Sequence, residues 1–318
     1  MTQRVPAWSL AVAAMLSVQI GAALSVSLFD TVGAGGTAWL RLTAGAVIFL
    51  LISRPQVRGL RWADLRAALA LGVTTGLITT SFLAAIERIP LGTAVAIEFL
   101  GPLGVAVLRS RSRALLVWPA LALTGVLLLT QPWQGTVDPL GIALAAIAAV
   151  GWGTYIVLTQ HIGDRFAGLQ GLSITIPVAA VTAAFIGVPQ AMGNITWQVV
   201  VTAFGLALLL PVIPFSLEML ALRRLTTAAF GTLMALEPAF GLLMGLLLLS
   251  QIPDVGQVIG VALVVCPKAT VRFCGLLPVV KVLPAGRVLS STVRVTVPGA
   301  TWVVASPLGS VTIVCSLP

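Results

Sequence analysis

The chain has 318 residues, of which 58% are hydrophobic and 8% charged, with a mean hydropathy of +1.09. A soluble domain of this length carries about 25% charged residues, so a water-solvated globule is excluded and lipid is the expected solvent. The formal charge of +9 and pI near 11.2 do not indicate a nucleic-acid binder, because the basic residues punctuate apolar runs instead of clustering on one face.

Apolar runs predict membrane-spanning helices over 7–29, 33–53, 66–86, 91–108, 114–131, 138–160, 169–188, 197–221 and 225–249, with a tenth starting at Val255. Each approaches the ~20 residues needed to cross about 30 Å of hydrocarbon. The first run follows Arg4 as a signal peptide would. It is too long for a typical signal h-region and similar spans follow it, so it reads as a retained first helix. With the amino terminus in the cytoplasm, Arg4, Arg54, Arg58, Arg61, Arg66, Arg109, Arg111, Arg113, Arg165, Arg223 and Arg224 fall inside. Between Met1 and Val265 only Arg88 falls outside, which is the asymmetry of the positive-inside rule. Trp8, Trp62, Trp118, Trp133 and Trp197 lie near span ends, as interfacial anchors do.

Polar groups inside the spans are the candidates for a substrate or ion pathway, because each costs free energy in hydrocarbon unless paired, protonated or facing water. In chain order they are Gln19, Arg41, the cluster Thr79, Thr80 and Ser81, Glu98, Tyr155, Glu218 and Glu237. Arg41 needs a counter-charge, which Glu98 or Glu237 could supply; Glu218 lies near a span end, where pairing with Arg223 suffices. The hydroxyl cluster reads equally as hydrogen-bonding glue between helices. Pro102, Pro177, Pro211, Pro214 and Pro238 each remove a backbone donor, opening a gap in a helix or bending it.

Sliding the chain along itself without gaps lays 86–104 over 222–240, pairing Arg88 with Arg224 and Pro102 with Pro238. The shift spans five helices, an odd number, so the second copy runs through the membrane inverted. Inverted repeats are a signature of secondary transporters, with the site near mid-membrane between the repeats. In this register Glu98 and Glu237 differ by three positions, about one helical turn. The expected fold is therefore an all-α membrane protein of ten transmembrane helices, built as an inverted five-plus-five repeat.

No HExxH, GxSxG, P-loop or GxGxxG motif is present, so hydrolase, ATP-driven and dinucleotide chemistry have no support; neither an enzyme nor a cofactor or metal site is expected. His161, the lone histidine, is placed in a cytoplasmic loop. The energy source is then an ion gradient, with protonation of Glu98 or Glu237 as the coupling event.

The stretches "LRLTAG" (40–45), "IPLGTAVAIEFLGPLGVAV" (89–107), "PFSLEMLALRRL" (214–225) and "FGTLMALEPAFGLLMG" (230–245) resemble the EamA-type branch of the drug/metabolite transporter superfamily, and within it the threonine/homoserine exporters. The resemblance covers roughly 7–265. It implies a ten-helix fold with a central cavity, a multi-pass position in the bacterial inner membrane, and export of threonine, homoserine or related amino acids. Arg41, Glu98, Glu218 and Glu237 are carried over as site candidates. Export of another metabolite or a drug-like cation, and a non-transporting membrane scaffold, are the alternatives.

Two repeats are thus expected, 1–131 and 138–265, followed by an atypical basic tail, 266–318. The tail holds all three cysteines and both lysines and none of the nine acids. It reads as the product of a frame shift near residue 265 that leaves the tenth helix incomplete, or else as a divergent tail with β-prone stretches at 288–297 and 302–314. Its cysteines lack metal-ligand spacing.

Overall fold

The structure is a computed structural model that describes residues 6–53, 62–109, 117–131, 138–162, 169–222, 224–225, 233–264, 293–297, 300–305 and 312–316. Trp133, Cys266, Cys274, Lys268, Lys281 and the arginines Arg4, Arg54, Arg58, Arg61, Arg111, Arg113, Arg165 and Arg223 lie outside the described residues. The chain forms two compact units, Met1–Cys274 and Gly275–Pro318.

In the first unit, α1 (Ala7–Ser25) passes through a 3-10 turn (Val26–Leu28) directly into α2 (Phe29–Ile52). The apolar stretch Ala7–Ile52 has 46 residues, about 70 Å at 1.5 Å per residue, roughly twice the hydrocarbon thickness. Gly33, at φ 72° and ψ 167°, interrupts it with a conformation that a Cβ disfavours. Arg41 Nη1 donates to Ser25 Oγ at 3.1 Å. The two residues stand eight positions to either side of Gly33, so the chain doubles back there. The 7–29 and 33–53 runs are accordingly two helices whose chain reverses at Gly33 and which pack on different neighbours.

The helices α3 (Trp62–Ile86), α4 (Leu91–Glu98), α5 (Leu100–Arg109), α6 (Val117–Thr130), α7 (Pro139–Ile162), α8 (Leu169–Ala191), α9 (Trp197–Ala207), α10 (Ile213–Leu222) and α11 (Glu237–Leu249) follow, then α12 (Val255–Val264). Five helical stretches among the described residues are long and apolar enough to cross a membrane, and Leu91–Val105, Met234–Leu249 and Val255–Val264 are shorter apolar helices. Their outward faces are apolar too: Leu108, Phe185, Val150 and Leu51 stand exposed, as they must if the surrounding solvent is lipid. Trp8, Trp62 and Trp197 are exposed at helix starts, in keeping with an anchoring role.

The most extensive packing is α2 on α8, with α3 against α7 and α8. The main core joins Ala22, Phe82, Leu83, Ile86, Val95, Phe99, Ala145, Met244 and Val264, so helices from both ends of the first unit share it. Small residues allow the close approaches, as where Gly101 of α5 lies against the Ala149 carbonyl of α7.

The chain is not helical throughout. The second unit holds a three-stranded antiparallel sheet, β1 (Val293–Val297), β2 (Ala300–Ala305) and β3 (Thr312–Ser316), in the order β1-β2-β3, with Val293 opposite Val304 and Trp302 opposite Cys315. The strands are rich in Val and Thr, whose branched Cβ favours extended backbone, and they overlap the β-prone stretches of the tail, with three strands in place of two. His161 also differs from expectation: it lies in the last turn of α7, not in a loop.

Candidate functional site

The prolines predicted to break helices mostly stand where helices restart. The run 91–108 passes from α4 to α5 at Phe99, whose backbone stays helical at φ −64° and ψ −17°, and Pro102 occupies the first turn of α5. A 3-10 turn (Met234–Leu236) precedes α11, where Pro238 lies in the first turn. In the long apolar helix Trp197–Glu218, a π-helical turn (Leu208–Val212) contains Pro211 and a non-helical Leu210 at φ −160° and ψ 109°, and Pro214 sits in the first turn of α10. First-turn N–H groups have no intrahelical acceptor, so proline is tolerated there. Pro177, by contrast, is carried inside a continuous α8.

Both central glutamates stand beside such junctions: Glu98 ends α4, and Glu237 begins α11 after the 3-10 turn. Glu237 is buried, with 5% of its surface exposed, and Glu98 is partly buried. The two helices pack against each other, with Leu91 facing Gly245, Gly92 facing Leu242 and Val95 facing Gly241. The chain number rises on α4 as it falls on α11, so the helices are antiparallel. Continuing that register brings Glu98 to the level of Glu237 and Pro238.

This geometry exposes a sharper repeat than the one that lays 86–104 over 222–240. Gly92-Thr93-Ala94-Val95-Ala96-Ile97-Glu98 matches Gly231-Thr232-Leu233-Met234-Ala235-Leu236-Glu237 at Gly, Thr, Ala and Glu. In this register Glu98 and Glu237 occupy the same motif position, where the other register offsets them by three. The matching positions were visible in the sequence, but the pairing of Arg88 with Arg224 and Pro102 with Pro238 drew the register three positions away.

Arg41 does not take the expected partner. It is buried, 3% exposed; its Nη1 donates to Ser25, and its Nε has no hydrogen-bond partner among the described residues. The ion pair formed between described residues is Arg88–Asp138. The reason lies in packing: α2 packs on α8, α3 and α9, whereas Glu98 and Glu237 belong to the α4–α11 crossing. Gln19 is buried on α1 and Thr80 on α3; among the described residues neither the Gln19 Oε1 nor the Thr80 hydroxyl has a partner. Thr79 is partly buried. Ser81 Oγ donates back to the carbonyls of Leu77 and Ile78 in its own helix, which leaves its oxygen as an acceptor. Glu218 of α10 and Tyr155 of α7 are partly buried, while Arg223, the expected partner of Glu218, lies outside the described residues. Arg41 thus stands with Ser25, and Glu98 and Glu237 belong to the α4–α11 crossing. Among the described residues no three His, Cys, Asp or Glu side chains group as metal ligands would.

Sequence reasoning missed the residues that fasten helix ends. Gln190 Oε1 accepts from the N–H groups of Gly35 at 2.8 Å and Gly36 at 3.3 Å, capping the part of α2 that follows Gly33. Gln251 Oε1 accepts from Leu91 N at 3.0 Å, capping α4. Gln131 Nε2 donates to Asp254 at 2.8 Å, and Asp254 and Gln257 bond reciprocally as a capping box for α12. A glutamine capping a distant helix leaves no local sequence signal, unlike an N-cap Ser or Asp.

The EamA-like transporter family matches residues 139–267 of the chain. The threonine/homoserine exporter RhtA of Escherichia coli K12 is 36% identical over 261 residues, covering 78% of this chain and 86% of the relative. RhtA of Salmonella typhimurium LT2 is 37% identical over 261 residues, covering 79% and 86%. A solved crystal structure of a protein 19% identical in sequence superposes with a TM-score of 0.57, over 86% of this chain and 99% of the other, a likeness of fold. With that level of identity to the exporters over most of both chains, and the glutamate motifs meeting at one crossing, the protein belongs to the EamA-like transporter family.

Proposed function

We propose that the chain is a gradient-driven secondary transporter of the bacterial inner membrane that exports small amino acids of the threonine and homoserine kind. The observation that carries this reading is the doubled Gly-Thr-x-x-Ala-x-Glu motif, whose two copies end in glutamates at a shared level of the antiparallel α4–α11 crossing. An inverted repeat requires equivalent helices to run antiparallel, and transporters of that construction place substrate and coupling-ion sites between the repeats at mid-membrane. The named activity of the RhtA relatives supports the substrate class.

The finer architecture is ten helices in two inverted sets of five, 1–131 and 138–265, with the amino terminus cytoplasmic as the arginine asymmetry requires. Glu98 and Glu237 exchange protons with the coupling gradient, and Arg41, Gln19 and Thr79 belong to the same pathway. The tail 266–318 is a frame-shifted segment and no part of either repeat. Sequencing of the gene tests that point: an alternate frame past codon 265 that restores an apolar helix end supports it, and the absence of one refutes it.

Overexpression tests the function. Cells carrying the chain at the inner membrane should survive external homoserine or threonine at concentrations that stop control growth, and should release labelled threonine faster. Unchanged sensitivity with surface expression verified overturns the reading.

A further inference from the structure

Arg41 is a buried cation without an ionic partner among the described residues, and its surroundings fix which part of it is free. Ser25 Oγ accepts from Arg41 Nη1 at 3.1 Å and donates to the Gly21 carbonyl at 2.6 Å, so the hydroxyl has one orientation and holds that corner of the guanidinium in place. Nε, on the other edge, has no hydrogen-bond partner among the described residues.

The neighbouring backbone is shaped around this arrangement. Ser17, Gly21 and Ser25 recur at intervals of four along one face of α1. Ser17 Oγ donates to Leu209 O at 2.7 Å, and a Cβ on Gly21 would stand 3.2 Å from Leu210 Cβ. One turn along α2 from Arg41, a Cβ on Gly45 would stand 3.2 Å from Pro211 Cδ. Small residues on α1 and α2 thus bring the interrupted segment Leu208–Val212 close to Arg41. Interrupted helices at membrane depth are tolerated where they line a cavity or are held by protein.

A buried guanidinium whose Nε edge is unsatisfied costs free energy that only an anion or a set of acceptors recovers. That edge, Nε with Nη2, presents two parallel N–H donors spaced to match a carboxylate. The candidate acids Glu98, Glu218 and Glu237 form no ion pair with Arg41. The counter-charge is therefore left for a ligand to bring.

We propose that the Nε edge of Arg41 binds the carboxylate of the transported amino acid, with Ser25 as the positioning residue that holds the guanidinium by its opposite corner. This rests on the export of amino acids proposed above. It adds a specificity rule: the carboxylate is obligatory, and amines or alcohols that lack it are excluded because they leave Arg41 unpaired.

The test uses the full chain in proteoliposomes, with counterflow of labelled threonine competed by unlabelled threonine or by threoninol, its analogue without the carboxylate. Wild type should prefer threonine by at least about tenfold. Arg41→Gln should lose that preference, and Arg41→Lys should recover only part of it, since an ammonium lacks the fork. Ser25→Ala should weaken threonine by about threefold to tenfold, consistent with one lost hydrogen bond, and leave threoninol unchanged. An unaltered threonine-to-threoninol ratio in Arg41→Gln or in Ser25→Ala overturns the proposal.

A second readout needs neither variant nor transport. Modification of Arg41 by phenylglyoxal, located by mass spectrometry, should be slowed by carboxylates, with threonine, glycine and lactate as probes, and not by threoninol. If threonine and homoserine give no counterflow but another carboxylate protects Arg41, the substrate reading fails and the Arg41 site stands. If no carboxylate protects it, the Arg41 site fails.

Discussion

Glu98 and Glu237 occupy the same position of a motif that occurs twice, and they stand at the same level of two antiparallel helices. Leu91 faces Gly245, Gly92 faces Leu242 and Val95 faces Gly241, so the numbers of facing residues have a nearly constant total. Glu98 and Glu237 share that total, so they are at once repeat equivalents and facing positions.

If Glu98 and Glu237 act on the same proton or ligand, as proposed, their substitutions should not be additive. Glu98→Gln and Glu237→Gln are each expected to lower gradient-driven threonine flux by about tenfold or more, and the double variant to be no slower than the worse single one. Initial rates in proteoliposomes across a range of pH gradients measure this. Multiplicative losses would assign the two carboxylates to separate steps.

The membrane class was legible in composition, because no arrangement of so apolar a chain is soluble, and the spans followed from run length. The junctions at Phe99, Leu208–Val212 and Met234–Leu236 lie beside Pro102, Pro211 and Pro238, prolines that the sequence marked as helix breakers. What the sequence concealed was partnership. Arg41 bonds a hydroxyl sixteen positions upstream in place of a glutamate, because which helix faces α2 is a property of the assembled bundle. The caps by Gln190 and Gln251 reach across 155 and 160 residues, and no local pattern specifies them.

The Arg88–Asp138 pair makes one pH dependence predictable. The side-chain hydrogen bond from Arg88 at 2.9 Å, with the Leu140 backbone N–H at 2.8 Å, holds the Asp138 carboxyl below its usual 3.8. A carboxyl depressed in the folded state stabilises fully above its unfolded value, and that contribution is lost as pH falls through the folded value. Melting of the purified protein should therefore decline on acidification below about pH 4 by more in wild type than in Asp138→Asn. Both side chains are about a third or more exposed, so salt should shrink the difference.

The glutamine caps join the first half of the chain to the second. Gln251 bonds Leu91, Gln190 bonds Gly35 and Gly36, and Gln131 bonds Asp254. Substituting leucine removes the acceptor at similar size and leaves helix-end N–H groups unsatisfied. Gln251→Leu and Gln190→Leu should each cost ~1 kcal/mol, read as lowered melting temperature, and the double variant should show the sum because the capped helices differ. If transport requires the halves to part at these ends, Gln251→Leu should also raise thiol-reagent labelling of a cysteine introduced at Pro90, beside the capped Leu91.

Packing at the α4–α11 crossing yields the sharpest steric prediction. A Cβ at Gly92 would lie 2.9 Å from Leu242 Cα, a backbone atom that no side-chain rotation can move. Gly92→Ala must therefore push the two helices apart, which costs about 1–3 kcal/mol and displaces Glu98 from Glu237. Alanine is otherwise the better helix former by about 1 kcal/mol, so the steric effect has to overcome a gain in propensity. Gly104→Ala supplies the control, since a Cβ there meets nothing within 4 Å and only the propensity gain remains. Melting temperature should fall for Gly92→Ala and hold or rise for Gly104→Ala. Flux measured at a temperature where both variants stay folded should fall for Gly92→Ala alone, because its damage reaches the glutamate pair. Equal behaviour of the two would mean that the helices do not make their close contact at Gly92.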